Sequence, residues 1–178
     1  MHLLGQPMTT TDSSRFWSFS LAVYADPAVQ KECLELQDRF GIDVNLLLFC
    51  AFIGAVHGAL LSEEDARQAM NVVAWWQENV VTPLRAMRRA LRELEPPVAA
   101  IGPLVQGVRV NIEAIELEAE RIEQMMLETW CLARLDAWRR TEVDAAVTAN
   151  VRTLLAVSGG CAQQIALPQH VIAAAHTA

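Results

Sequence analysis

The run Val44-Asn45-Leu46-Leu47-Leu48-Phe49-Cys50-Ala51-Phe52-Ile53-Gly54-Ala55-Val56-His57 decides the fold. Only Asn45 and His57 interrupt it. A helix that is apolar on every side must be covered on every side, by other helices or by lipid. From Val44 to Leu61 the chain offers 18 residues without a charge, the short end of a membrane span. The flanks favour a protein core. Asp43 precedes the run as an acidic cap, no Lys or Arg adjoins it, and the segments around it are amphipathic. Gly54 and Gly58 are small enough to let another helix approach closely. The expectation is a soluble, all-α, single-domain bundle of about six to seven helices around a central helix at about 43–58.

The neighbouring segments supply those helices. Ser13 or Ser14 caps a first one over about 14–25, carrying Phe16, Phe19 and Val23 on one face. Asp26-Pro27 opens a second, whose Val29, Cys33, Leu36 and Phe40 form one stripe, and Gly41 ends it. Ser62-Glu63-Glu64-Asp65 starts a fourth that runs to Trp75-Trp76, with acids placed to favour the helix dipole. Thr82-Pro83 kinks the chain or begins a fifth helix ending near Glu95, and Pro96-Pro97 is a stop. A sixth is expected over about 104–137. Its Val105, Val108, Ile112, Ile115, Ala119, Ile122 and Met126 step by three or four and predict one buried stripe. A seventh, about 141–157, is broken by Ser158-Gly159-Gly160. The predicted organisation is a disordered N-terminus at 1–12, a helical domain at 13–157 and a weakly ordered tail at 158–178 with one short helix after Pro168.

Composition fits one domain. The chain has 178 residues, 53% of them apolar, which argues against disorder. Its net charge of −7 repels phosphate backbones unless the basic residues are segregated, so nucleic-acid binding is not expected. Cys33, Cys50, Cys131 and Cys161 contain no Cys-x-x-Cys pair. The N-terminus lacks the cationic start and apolar run of a secretory signal, and a reducing, cytoplasmic location is expected.

Several stretches resemble a family. Phe16-Trp17-x-Phe19-Ser20-Leu21-x-x-Tyr24 is one, and Gln37-Asp38-x-x-Gly41-x-Asp43-Val44-Asn45 is the most specific. Pro83-Leu84-Arg85-x-x-Arg88-Arg89-x-Leu91 and Glu116-Leu117-x-Ala119-Glu120-x-x-Glu123 look like later parts of the same pattern. Over about residues 14–130 the chain resembles a proteobacterial family of small proteins known as domain of unknown function 2390. The resemblance implies a bacterial helical domain and brings no activity with it.

Three polar groupings are candidates for function. The first is Asp38, Asp43, Asn45 and His57 around the central helix. Asn45 and His57 lie 12 residues apart, about 18 Å along a helix, so they do not form one site by themselves. The bland reading has Asp38 and Asn45 bonding backbone in the 38–45 turn and His57 satisfied in the core; the sharper one is a small-ligand pocket beside the central helix. The second is the basic face Arg85, Arg88, Arg89 and Arg92, within about 100° of arc, with Leu84, Met87, Leu91 and Leu94 toward the core. The third is an acidic ridge, Glu113, Glu116, Glu120 and Glu123, within about 80° of arc. It reads first as a solvated face, next as the partner of the Arg ridge. A di-metal site would want Glu-x-x-His pairs, and none occurs. Trp75-Trp76 point about 100° apart, so one of them, with Trp76 the candidate, meets an interface.

No Gly-x-Ser-x-Gly elbow, phosphate loop or dinucleotide fingerprint is present, and no cofactor or metal is expected. A Cys161–His170 nucleophile is weighed and set aside because Cys161 falls in the weakly specified tail. The leading expectation is a non-enzymatic module that binds another protein or a second copy of itself. The alternatives are a ligand-binding or enzymatic domain with a pocket beside the central helix, and anion or RNA binding through the Arg face.

Overall fold

The computed structural model describes residues 14–95, 98–158 and 165–178. The N-terminal stretch at 1–12, the Pro96-Pro97 stop and most of the Ser158-to-Cys161 break lie outside the described residues. The fold is all-α. In chain order the helices are α1 (Arg15–Tyr24), α2 (Pro27–Phe40), α3 (Val44–His57), α4 (Glu63–Trp76), α5 (Thr82–Glu93), α6 (Gly102–Leu132), α7 (Val143–Val157) and α8 (Gln169–Ala175). Among the described residues no strand forms, and Ala59 with Arg140 makes an isolated bridge. No described helix is long and apolar enough to cross a membrane.

The local signals act where the sequence places them. Ser14 accepts from Trp17 N, Asp26 from Ala28 N, and Asp43 Oδ1 from Leu46 N at 3.1 Å, each relieving an orphan N–H at a helix start. Ser62 and Asp65 close a capping box at α4. Gly41 ends α2 in the left-handed region with φ 67°. A fifth helix begins at Thr82-Pro83, as the sequence suggests, but no loop precedes it. Gln77–Val81 widens into a π turn that runs directly from α4 into α5. Pro83 has no N–H and crowds the carbonyl of Asn79, and a wider turn accommodates both.

α3 is the hub. It packs chiefly on α7 and also meets α1, α4, α6 and α8. Leu47, Phe49, Ala51 and Ile53 are fully buried. Phe16 sits 5.6 Å from Phe49 and 5.1 Å from Phe52, so α1 seats an aromatic layer on α3. Burying each such side chain stabilises the fold by about 1.5–3 kcal/mol. The two small residues of α3 do different jobs. A Cβ on Gly54 would lie 2.5 Å from Val147 N, so this glycine lets α7 lie against α3. Gly58 instead supplies the left-handed cap at φ 58°.

Asn150 on α7 pins the α3–α4 turn from inside the core. It is fully buried, accepts from Leu61 N at 2.8 Å, and donates to Ala59 O at 2.8 Å and Cys50 O at 3.3 Å. α8 docks on α2 and α3, buries Val171, Ile172 and Ala175, and donates Val171 N to Glu32 Oε2 at 2.9 Å.

α6 differs from expectation in two ways. It spans Gly102–Leu132, with a 3-10 turn at Leu135–Ala137 beyond it. Its apolar stripe is not the buried face: Val108, Ile115 and Ile122 are 50%, 55% and 43% exposed, and only Ala119 of the stripe is buried. The buried face carries Glu116, Ala119, Glu123, Gln124, Leu127 and Cys131. The reason lies in what α6 meets. α5 offers it Arg85 and Arg88, and α3 offers it Asn45, so carboxylates and amides turn inward to satisfy them. α5 is rotated correspondingly: Met87 and Leu94 are exposed while Leu84, Arg85, Arg88 and Leu91 are half-buried.

Candidate functional site

α1 and α6 run antiparallel, and four-residue steps bring their polar side chains into layers. Phe16 N donates to Glu128 Oε1 at 3.2 Å. Arg121 lies over the Trp17 ring, 5.8 Å from its centroid. Tyr24, two turns on, feels the charge of Glu120. Ser20 on α1 and Gln124 on α6 line one cleft. This cleft, of about 590 Å³, opens among α1, α2, α3, α5 and α6. Its walls are largely apolar, with Trp17, Leu21, Leu34, Leu48 and Leu117 among them. This size and character suit a small organic molecule.

The inner end of the cleft is a directed amide relay. Asn45 Nδ2 donates to Glu123 Oε2 at 3.0 Å, and Gln124 Nε2 donates to Asn45 Oδ1 at 2.8 Å. Each amide spends its N–H₂ on the next acceptor inward, which leaves Gln124 Oε1 as an unused acceptor. That atom and Ser20 Oγ are buried and meet no hydrogen-bond partner among the described residues. Ser20 is 4% and Gln124 3% exposed, and both line the cleft. Such unmet groups cost about 1–3 kcal/mol each unless something else bonds them.

Glu123 stands behind the relay, fully buried. Burial, then the charge of Asp43, pushes its carboxyl up to about 9, so it is neutral at pH 7. Asp43 is held in place by Leu46 N and by the Gln77 amide.

The Arg and Glu ridges meet on one flank. Arg85 Nε bonds Glu116 Oε1 at 3.2 Å and its second nitrogen bonds Glu120 Oε1 at 2.7 Å. Arg88 grips both oxygens of Glu116. Burial alone would raise the Glu116 carboxyl, but the bonds and charges of Arg88 and Arg85 outweigh it and hold it below the usual range. Burial raises Glu120, and Arg85 opposes this incompletely.

The structure sorts the predicted residues. Asn45, Arg85, Arg88, Glu113, Glu116 and Glu120 line the cleft together, with Glu123 behind them. The reading of the acidic ridge as solvated fails for Glu116 and Glu123, which are buried; Glu113 is exposed and pairs with Arg109. Asp38 does not belong to a buried cluster. It is 57% exposed and pairs with Arg89 at the surface. Asn45 bonds side chains of α6 and not the 38–45 backbone, because α6 brings a carboxyl within reach. His57 is no core residue: it lies half-buried at the end of α3, edge-on to Phe52 at 5.3 Å. Burial and the charges of Arg15 and Arg140 lower its pKa. Arg92 makes no ion pair among the described residues. Trp76 donates Nε1 to Ala119 O at 2.9 Å and is structural, whereas Trp75 is 68% exposed.

Sequence reasoning gives Ser20, Tyr24 and Gln124 no functional role, although Ser20 and Tyr24 belong to a stretch that carries the family resemblance. A serine facing an apolar helix stripe and a glutamine beside an acidic ridge carry no local signal; only the meeting of α1 with α6 gives them meaning. The described residues hold no grouping of three or more His, Cys, Asp or Glu placed to hold a metal ion. Cys33, Cys50 and Cys131 are buried free thiols pushed up to about 12 by burial, so none of them is a ready nucleophile.

A family profile described as "Protein of unknown function (DUF2390)" matches residues 15–127. Every residue of the relay and of the Arg–Glu flank falls within that span. No curated protein and no solved structure matches the chain.

Proposed function

The chain belongs to the DUF2390 family of unknown function, and we propose that it is a non-catalytic domain that binds a small, largely apolar organic molecule in the cleft between α1, α3 and α6. One observation carries this reading: two buried polar atoms, Ser20 Oγ and Gln124 Oε1, lack partners among the described residues, and both residues line a cleft that also has an apolar wall. A core merely filled for stability would pair or exclude such atoms. The cleft also reaches Asn45, the one polar residue of α3 that faces it. Arg85 and Arg88 are paired with Glu116 and Glu120, and among the described residues no unpaired base and nucleophile stand together, which favours binding over catalysis. The free thiols support a reducing compartment and hence a cytoplasmic location.

Isothermal titration with 1-octanol tests the reading. The wild-type chain is expected to bind. Ala114→Trp, at the rim of the cleft, is expected to weaken binding by about tenfold or more while leaving helicity and melting temperature unchanged. Equal affinity in the two proteins would contradict the cleft as the site.

A second reading, docking of a protein partner or a second copy, is favoured by the outer face of α6. Leu104, Val108, Ile115, Ile122 and Met125 are exposed along one side of it, and Trp75 is exposed on α4. Isolated exposed apolar residues are ordinary, but an extended row is a mark of an interaction surface. Light scattering after size exclusion tests it, with an assembly above monomer mass expected and its loss expected in Ile115→Glu. The Arg face offers phosphate little: Arg85, Arg88 and Arg89 are already bonded to acids.

A further inference from the structure

We infer that the molecule held in the cleft carries a primary ammonium group on its apolar body, seated between Ser20, Gln124 and Glu120; this rests on the cleft being the binding site. Three observations converge on that head group. The first is the kind of bond left unmade. Gln124 Oε1, an amide oxygen, can only accept, and it has no partner among the described residues while its N–H₂ is turned to Asn45. Ser20 Oγ has no partner among the described residues and, as a hydroxyl oxygen, can also accept. Glu120 engages Arg85 through Oε1 and is 27% exposed, which leaves its second oxygen free to accept. An ammonium has three donors and no acceptor, so it can give one hydrogen bond to each of these three oxygens.

The second observation is the charge of the walls. Asp43, Glu113, Glu116 and Glu120 line the cleft against Arg85 and Arg88 alone. The balance is negative, and it favours a cation inside a partly desolvated space. The third is the state of the two arginines. A carboxylate or phosphate head group would need their forks, and these are occupied by Glu116 and Glu120. An anion would have to break charge-assisted bonds to reach them. The apolar lining from Leu21, Leu34, Val44, Leu48 and Leu117, with the Trp17 ring, fits a hydrocarbon or aromatic tail.

Titration of the full chain at pH 7 with 1-octylamine, 1-octanol and sodium octanoate tests the inference, since the three share a tail and differ in head group. The expected order is octylamine tightest, by about tenfold over octanol, with octanoate weakest. Gln124→Met is expected to bring octylamine down to the level of octanol while octanol is little changed. Should that variant fail to fold, Ser20→Ala, a loss of one oxygen, is expected to lower octylamine affinity severalfold. Glu118→Gln, on an exposed part of α6 away from the cleft, is expected to leave it unchanged.

If octanol binds as tightly as octylamine, or octanoate binds tightest, the head-group assignment falls and the cleft remains a site. If Glu118→Gln weakens octylamine as much as Gln124→Met does, the attraction is only that of an acidic surface and the assignment falls again. If none of the three binds, the cleft reading fails and the assignment falls with it.

Discussion

Asn45 on α3 donates to Glu123 on α6 across 3.0 Å, joining two residues 78 positions apart inside the protein. The bond ties the apolar hub to the one long helix whose buried face is polar. It also fixes which way the Gln124 amide points, because Asn45 has its N–H₂ committed to Glu123 and turns its oxygen toward Gln124. A buried carboxyl thus orients an acceptor at the wall of the cleft without lining the cleft itself.

Glu123 sits among groups that favour its neutral form. Its carboxyl is raised from 4.5 to about 9, so the folded state binds a proton that the unfolded state releases above 4.5. Stability from this group is full below about pH 4.5 and is lost as pH rises toward 9. Glu123→Gln keeps the shape and the acceptor for Asn45. It is expected to unfold in urea at nearly the wild-type midpoint at pH 5, and to be the more stable of the two at pH 9. A wild-type midpoint that does not fall between those pH values would show Glu123 to be ionised throughout.

Glu116 has the opposite sign. Arg88 and Arg85 hold it below its ordinary 4.5, so the stability it lends is present above that value and is lost as pH falls through its folded pKa. Arg88→Gln leaves a nearly buried carboxylate with one cation in place of two. The expected loss is about 1–3 kcal/mol at pH 7, shrinking toward zero in acid, measured by urea denaturation.

Two helical glycines, Gly54 and Gly107, predict opposite responses to alanine. At Gly54 the added methyl would meet the Val147 backbone at 2.5 Å, and Gly54→Ala is expected to cost about 1–3 kcal/mol or more as α7 is pushed from α3. At Gly107 nothing lies within 4 Å, and Gly107→Ala is expected to stabilise by about 0.5–1 kcal/mol through helix propensity. Thermal melts of the two variants check both signs.

Asn150 is expected to be among the most sensitive single positions. Asn150→Leu strands Leu61 N and the carbonyls of Cys50 and Ala59 in the core. A loss of about 2–4 kcal/mol is expected, from unmet backbone groups rather than from volume. A melt shifted by no more than a degree or two would show that water replaces the side chain.

The elements of this fold were legible where signals are local. Asp26-Pro27, Gly41, Asp43 and the Ser62–Asp65 box act within one turn, so their residue types determine what they do. The all-round apolar character of α3 likewise marked it as the element that other helices cover. The facing of α6 was not legible. Its sequence offers an apolar stripe and an acidic ridge side by side, and periodicity assumes that the apolar one faces inward. Which side is buried depends on Arg85, Arg88 and Asn45, brought from other helices. The site suffered the same limit: Asn45, Arg85, Arg88 and the inward glutamates stood out as unusual, whereas Ser20 and Gln124 look ordinary until α1 lies against α6.

The central claim is that the polar-ended cleft, and not the outer face of α6, receives a small ligand. Two-dimensional NMR of the ¹⁵N-labelled chain titrated with 1-octanol tests it most directly. The account predicts saturable shifts of the Gln124 side-chain amide and the Trp17 indole. Shifts confined to the backbone around Leu104, Val108 and Ile115, or none at all, would contradict it.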